Sequence, residues 1–305
     1  MGLSIYNIKK WYKMLTGKSI MHVNQNMGKC FVPGKMEGYF NNMTEKVTKD
    51  PETLEKKTIP MTTDEIAGVV YFPVAIFQYG LGAYDLYLMS KEKKYINQFW
   101  KCVEFAVDNQ EKTGAWNNFG FVYPDAPYGS MCQGEGASLL LRAYKLTGDN
   151  QYIEKARSAI DFMLKPLKQG GTSKYDGEDV LFCEFTNKPI VLNGWIFSLY
   201  GLYDLTLVDK SEEYRKALNK AVKSLVKHLN EFDNGYWSMY DMKGKITSPF
   251  YHDLHIAQLE ALYLTFGDVE FKKMKERFEG YRNKQTNRSR AFIKKVIQKI
   301  IEKKD

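Results

Sequence analysis

From Tyr71 onward the chain alternates between two kinds of helical stretch, one almost wholly apolar with small residues set into it, the other apolar on one face and carrying Lys and Glu on the other. The stretches come in pairs. IFQYGLGAYDLYLMS precedes KEKKYINQFWKCVEFAVDNQ, MCQGEGASLLLRAYKL precedes NQYIEKARSAIDFMLK, VLNGWIFSLYGLYDLTL precedes SEEYRKALNKAVKSLVKHL, and LHIAQLEALYLT precedes VEFKKMKERFEGYRNK. Short polar turns such as TGDN, VDKS and FGDV join the partners. Aligning the polar residues that open the first helices, Gln78, Gln133, Asn193 and His255, gives spacings of 55, 60 and 62 residues, one helical hairpin plus a long loop per repeat. A helix that is apolar all round has no face for water, so the first of each pair is expected inside and the charged second outside. Hairpins arranged this way close into a ring within a ring. The expected fold is all-α dominated, an incomplete (α/α) toroid, with a short N-terminal arm or small β element ahead of it. The loops KTGAWNNFGFVYPDAPYGS, QGGTSKYDGEDVLFCEFTNKP and DNGYWSMYDMKGKITSPFY should gather at one end, around the inner-helix N-termini. Loops longer than about 15 residues are usually functional.

The pattern divides the chain into a basic N-terminal helix and irregular arm over residues 1–70, a catalytic toroid over 71–280, and a basic amphipathic tail over 281–305. Within the arm, Met21 to Pro60 is the least regular stretch, with strand-like CFVPG and EGYF beside turn residues. The formal charge of +8 is carried at the ends. Met1 to Met36 has six lysines and no acid, and Tyr281 to Asp305 has nine basic residues and two acids, which leaves the segment between them at about −5. A nucleic-acid partner is not expected, because no binding motif accompanies the basic residues. Both ends set apolar residues at helical spacing, Ile5, Ile8, Tyr12 and Leu15 in one and Phe292, Val296 and Ile300 in the other. Such helices either dock on the body of the protein or make a peripheral contact with a membrane or partner. Cys30, Cys102, Cys132 and Cys183 are widely spaced with no CxxC pattern, as in a reduced compartment. The sequence shows no leader-like start and no apolar run of spanning length, so the expected location is cytoplasmic, at or near an inner membrane surface.

Chemistry concentrates in NGYWSMYDMKGKITSPFYHDLHIAQ, Asn234 to Gln258, where Tyr240 and Tyr251 flank a Gly-containing loop and His252, Asp253 and His255 follow. A phenol titrates near pH 10, roughly, but cationic neighbours can lower that value and make a tyrosine a usable acid or base. Glu184, in the apolar context LFCEFTNKP, is expected to be buried with a raised pKa. Trp116, Trp195 and Trp237 could stack on sugar faces or lie in the core. Gln78, Gln133 and Asn193 suit hydroxyl recognition or helix capping. His252 and His255 lie three apart with no third ligand in view, so no metal is expected.

Six segments in order, YFPVAIFQYGL, GAW, YGSMCQGEGASLLLRAY, VLNGWIFSLYGLYDL, YDMK and FYHDLHIAQLEAL, give the chain from about Tyr71 to about Phe266 a further identity. This stretch resembles the C-terminal α/α-helical domain of the D-glucuronyl C5-epimerases, which convert glucuronate to iduronate within heparosan-type polysaccharides. The resemblance implies that Glu184, Tyr240 and Tyr251 stand at catalytic positions and that Tyr128 and Gln133 lie near the cleft. Two departures stand out. The β-rich N-terminal region of the animal enzymes is much reduced, and Lys243 follows YDM where the animal pattern has Arg. An ammonium cannot hold a carboxylate or sulfate in the bidentate way a guanidinium does.

The reaction implied removes a hydrogen α to a carboxylate and leaves an enolate-like dianion whose charge must be neutralised. Lys243, His252 and His255 are the cationic or donor groups expected to serve. Tyr251 on one face of the sugar and Glu184 with Tyr240 on the other are the expected proton carriers. No cofactor is expected. The implied partner is an anionic polysaccharide or a lipid-linked oligosaccharide, with a homodimer as in animal members of the family. Two alternatives remain at this point. One is a uronate lyase or glycoside hydrolase on the same toroid, a hydrolase pairing Glu184 with Asp125, Asp241 or Asp253. The other is a non-catalytic glycan-binding protein.

Overall fold

The computed structural model describes residues 22–64 and 67–301. The positions Ile5, Ile8, Tyr12 and Leu15 lie outside the described residues. Helical hairpins make up the body, as the repeat predicts: α3 (Pro73–Ser90) with α4 (Lys93–Asn109), α5 (Ser130–Thr147) with α6 (Asn150–Leu164), α7 (Leu192–Val208) with α8 (Glu212–His228), and α9 (Pro249–Phe266) with α10 (Val269–Arg282). The first helix of each pair packs against the first helix of the next, α3 on α5, α5 on α7 and α7 on α9, while the second stays against its own partner. This is an incomplete (α/α) toroid, with an inner arc of helices backed by an outer one.

The turns explain why the register repeats. Gly148 and Gly267 end α5 and α9 in the left-handed conformation, and Asp149, Ser211 and Asp268 then accept the N–H of Gln151, Glu213 and Glu270 to cap the outer helices. The closest approach of the inner helices needs glycine. A Cβ on Gly201 of α7 would lie 2.3 Å from Cα of Gly134 in α5.

The arm is more ordered than its composition suggests. It contains α1 (Thr44–Thr48), which packs on α3, and α2 (Pro51–Glu55), followed by an antiparallel pair β1 (Thr62–Asp64) and β2 (Gly68–Val70). Ahead of α1 it crosses the toroid towards α7, where Phe40 stacks on Tyr200 at 3.6 Å between ring centroids. Arg142 holds it there. That buried guanidinium donates to the carbonyls of Glu37 and Gly38 and pairs with Asp204 at 2.7 Å. Asp85, Arg142 and Tyr203, which bind the arm, all lie in the C-terminal halves of inner helices, so the arm fills that end. The other end receives the long loops, one of which folds into an antiparallel hairpin, β3 (Ser173–Asp176) with β4 (Asp179–Phe182). The last described element is α11 (Gln285–Ile301), which packs against α10. Among the described residues no helix is long and apolar enough to cross a membrane.

Candidate active site

Glu184 lies just past β4, where the chain leaves the hairpin for α7. Its neighbourhood is pinned by backbone bonds: the Cys183 N–H donates to the Thr172 carbonyl at 2.9 Å, and the Ser130 N–H donates to the Cys183 carbonyl at 2.8 Å. The residue is thereby held beside the N-terminal ends of α5 and α7. Gly194, in the first turn of α7, makes the room, since a Cβ there would lie 2.4 Å from Oε2 of Glu184 and 2.6 Å from its Cβ. The side chain is only 9% exposed, and Oε2 has no hydrogen-bond partner among the described residues. Burial raises its pKa to about 8, opposed by the charge of nearby Lys188.

The loop after α8 delivers Tyr240 to the same place. The Leu192 N–H donates to the Tyr240 carbonyl at 3.2 Å, and the Met242 N–H donates to the Ile190 carbonyl at 3.1 Å, so the loop is stitched to the start of α7. Tyr251 comes from the first turn of α9, where Pro249 opens the helix and Ser248 caps it. The two rings meet edge to face at 5.2 Å. Burial pushes both phenols above their ordinary pKa, and the Glu184 charge adds to the effect in each case. The sequence-based expectation of a lowered tyrosine pKa is therefore reversed. Both phenols face a carboxyl group in a dry setting and keep their protons near neutral pH.

The floor is polar. Tyr251, His255 and Gln258 share one face of α9 by their spacing, and Gln258 Nε2 donates to the Asn193 carbonyl at 3.5 Å. Both ring nitrogens of His255, Oε1 of Gln258 and Oδ1 of Asn193 are buried without a partner among the described residues, as is Oε2 of Glu184. Unsatisfied polar atoms are rare in protein interiors, and so many in one place mark a lining suited to a hydroxyl-rich ligand. His255 is a neutral imidazole, its pKa lowered to about 3 by burial. The rim is aromatic. His22 stands edge-on to Phe250 and Tyr251, while Phe119 stacks on Phe185 at 4.4 Å. Lys188 lies 3.8 Å from the centre of the Tyr123 ring and 4.6 Å from that of Phe185. Among the described residues no group of His, Cys, Asp or Glu is placed to hold a metal ion.

Several residues singled out in the sequence are placed elsewhere. Trp116 is fully buried, donates from its indole to the Ala106 carbonyl at 2.8 Å and packs on Phe77. Trp195 and Trp237 are also core residues, so none of the three is a sugar platform. Gln133 accepts from the Trp116 N–H at 2.9 Å and donates to the carbonyls of Trp116 and Gly129, which occupies its amide with backbone. Tyr128 donates to Glu111 at 2.7 Å, which occupies its hydroxyl, and stands edge-on to Phe162. Gln78 donates to the buried Glu135 at 2.8 Å. His252 is clamped: its Nδ1 accepts from the Ser238 N–H, its Nε2 faces the Phe278 carbonyl at 3.0 Å, and Trp237 stacks on it at 3.7 Å. Burial lowers its pKa to about 4, so it too is neutral and supplies no cation. Lys243 is exposed in the turn after Asp241. Among the described residues the cation whose charge acts on Glu184 is Lys188, which is also exposed and donates to the Tyr123 hydroxyl at 2.5 Å. Its only sequence signal is its place four residues after Glu184, on the same loop.

A family model described as D-glucuronyl C5-epimerase C-terminus matches residues 108–280, more than half of the chain. A D-glucuronyl C5-epimerase of Caenorhabditis elegans is 26% identical over 223 residues, covering 64% of this chain and 36% of that protein. An uncharacterized protein of Methanocaldococcus jannaschii is 31% identical over 151 residues, covering 48% of this chain and 49% of that protein. The chain thus spans about a third to a half of the length of these relatives. Among solved structures, a cellobiose 2-epimerase from Bacillus thermoamylovorans superposes with a TM-score of 0.54 at 10% identity, over 91% of this chain and 87% of that one, a likeness of fold.

Proposed function

The chain belongs to the D-glucuronyl C5-epimerase C-terminus family, and on that premise we propose that it converts D-glucuronate to L-iduronate residues in a uronate-containing polysaccharide by removing and returning the proton at C5. The observation that carries this reading is the convergence of Glu184, Tyr240 and Tyr251: the two phenol rings meet at 5.2 Å, and burial together with the Glu184 charge raises the pKa of both. A carboxylate with a pKa of about 8 is a far stronger base than an ordinary one and still ionises appreciably near neutral pH. Glu184 takes the C5 proton from one face of the ring. The Tyr251 phenol, protonated at rest, returns a proton to the other face. Tyr240, edge-on to Tyr251 and within reach of the Glu184 charge, passes a proton between them so that the pair resets without a cofactor. Lys188 offers the positive charge that the uronate carboxylate needs as it becomes a dianion. Asn193, His255 and Gln258 bind ring hydroxyls.

Hydrolysis would need a second free carboxyl. Asp241 is occupied by the Lys243 and Lys245 N–H groups, Asp253 pairs with Arg282 at 3.2 Å, and Asp125 is exposed. Lyase chemistry shares the first step and differs in what leaves. The experiment is incubation with heparosan and other glucuronate polymers, followed by NMR of the products. Iduronate signals with intact chains support epimerisation, and unsaturated chain ends would replace it with elimination.

A further inference from the structure

The helix α11 packs on the body of the protein with one face and leaves most of the opposite face exposed, apart from Arg290, which lies over the Tyr236 ring at 3.9 Å. On the inner face Ala291 is buried with Trp237 and Ile246, and Gln298 bonds the Ile246 N–H at 2.9 Å and the Gly244 carbonyl at 2.8 Å. Lys295 donates to the Ile246 carbonyl at 2.5 Å. On the outer face Phe292, Ile293, Ile297, Ile300 and Ile301 are each between 45% and 58% exposed. With 3.6 residues per turn they form one stripe covering roughly half the circumference. Arg290 and Lys294 border the stripe on one side, Arg288 and Lys299 on the other. From Tyr281 to Ile301 there are seven basic residues and no acid. Apolar residues scattered singly over a surface need no explanation, but a continuous stripe between two basic borders does.

We propose that this face lies on an anionic lipid surface, with the isoleucines and Phe292 among the acyl chains and the flanking Lys and Arg reaching headgroup phosphates. Charge selects this occupant. A second copy of the chain would bring the same positive borders together, and the N-terminal segment, with six lysines and no acid through Met36, would do likewise. Docking there has a consequence for the site, because the residues α11 holds, Gly244 and Ile246, lie on the loop that carries Tyr240, and the Tyr240 N–H bonds the Lys245 carbonyl at 2.5 Å. The lipid surface and the catalytic loop then share one helix.

The test is flotation of the full chain with vesicles of phosphatidylcholine alone and of phosphatidylcholine with phosphatidylglycerol, alongside its mass in solution by light scattering. The chain is expected to float at least tenfold better with the anionic vesicles and to be released by 1 M salt, where the screening length falls to about 3 Å. Lys294→Gln should weaken binding about fivefold. Ile293→Glu with Ile297→Glu should abolish it while leaving the thermal transition unchanged, and Phe292→Ser with Ile300→Ser should do the same without adding charge. Flotation that ignores vesicle charge or survives these substitutions would overturn the proposal. So would absence of flotation together with a dimer that the substitutions convert to monomer, which would make the stripe a self-association face.

Discussion

Gly194→Ala tests the site through its geometry, without touching an ionisable group. The added methyl would lie 2.4 Å from Oε2 and 2.6 Å from Cβ of Glu184, against an ordinary contact that begins at 3.4 Å. Glu184 must therefore shift by roughly 1 Å, Cβ as well as carboxyl, and a displacement of that size costs on the order of 100-fold in rate when the group is a proton carrier. That corresponds to about 2.7 kcal/mol of activation free energy. Stability should change little by comparison. Alanine favours a helix over glycine by about 1 kcal/mol, which offsets part of the 1–3 kcal/mol or so that overpacking costs. The assay is C5 proton exchange on a glucuronate polymer by NMR, with a thermal melt of the same sample. Exchange down about 100-fold with a melting temperature within a few degrees of the parent is the expected outcome. A variant that exchanges at the parent rate would show that the position of Glu184 does not matter and would sink the assignment.

Other consequences follow from the same contacts. If Glu184 acts as the base, the kcat/KM profile should rise as pH passes through about 8, because the raised pKa keeps the group protonated below that value and ionised above it; a profile that falls through the same range would reverse its role. Gln133→Ala should cost about 2–4 kcal/mol in denaturant unfolding, since it strands the Trp116 N–H and carbonyl in the core; a melt unchanged from the parent would return Gln133 to the cleft. His252 is held neutral with a pKa of about 4, so its contribution is present above about pH 6.5 and lost as pH falls towards 4. That loss is about 3 kcal/mol in all, and an unfolding free energy flat between those two values would contradict the clamped imidazole.

The fold was legible because two signals agreed. Helical hairpins recur at near-constant spacing, and three of the four hairpin turns carry the residue that caps the outer helix, Asp149, Ser211 and Asp268. Periodicity says which helix is inside, but it cannot say what a given polar side chain meets there. Gln78, Gln133 and Asn193 stand at equivalent points of the repeat, yet the first bonds a carboxyl, the second bonds backbone, and only the third keeps a buried side-chain oxygen without a partner among the described residues, next to Gln258. The tryptophans were ambiguous for a related reason. Their size suits a sugar platform and a core equally, and burial alone separates the two. His252 and His255 lie one turn apart on α9, but the sequence does not show that Ser238 and Phe278 engage only the first. Lys188 was hidden because its relation to Glu184 runs through the path of the loop after β4 and leaves no pattern in the helices. The arm escaped notice as a plug because its contacts with Asp85 and Arg142 span long sequence separations.

On the proposed function, Glu184, Tyr240 and Tyr251 together exchange the C5 proton of a uronate. The direct measurement is the rate of deuterium appearance at C5 when the chain is incubated with glucuronate polymers in D2O, for the parent and for Tyr251→Phe. The account predicts C5 deuterium in both glucuronate and iduronate residues without chain cleavage in the parent, and a sharp loss of that exchange when the Tyr251 phenol is removed. Exchange that persists at the parent rate in Tyr251→Phe would contradict it.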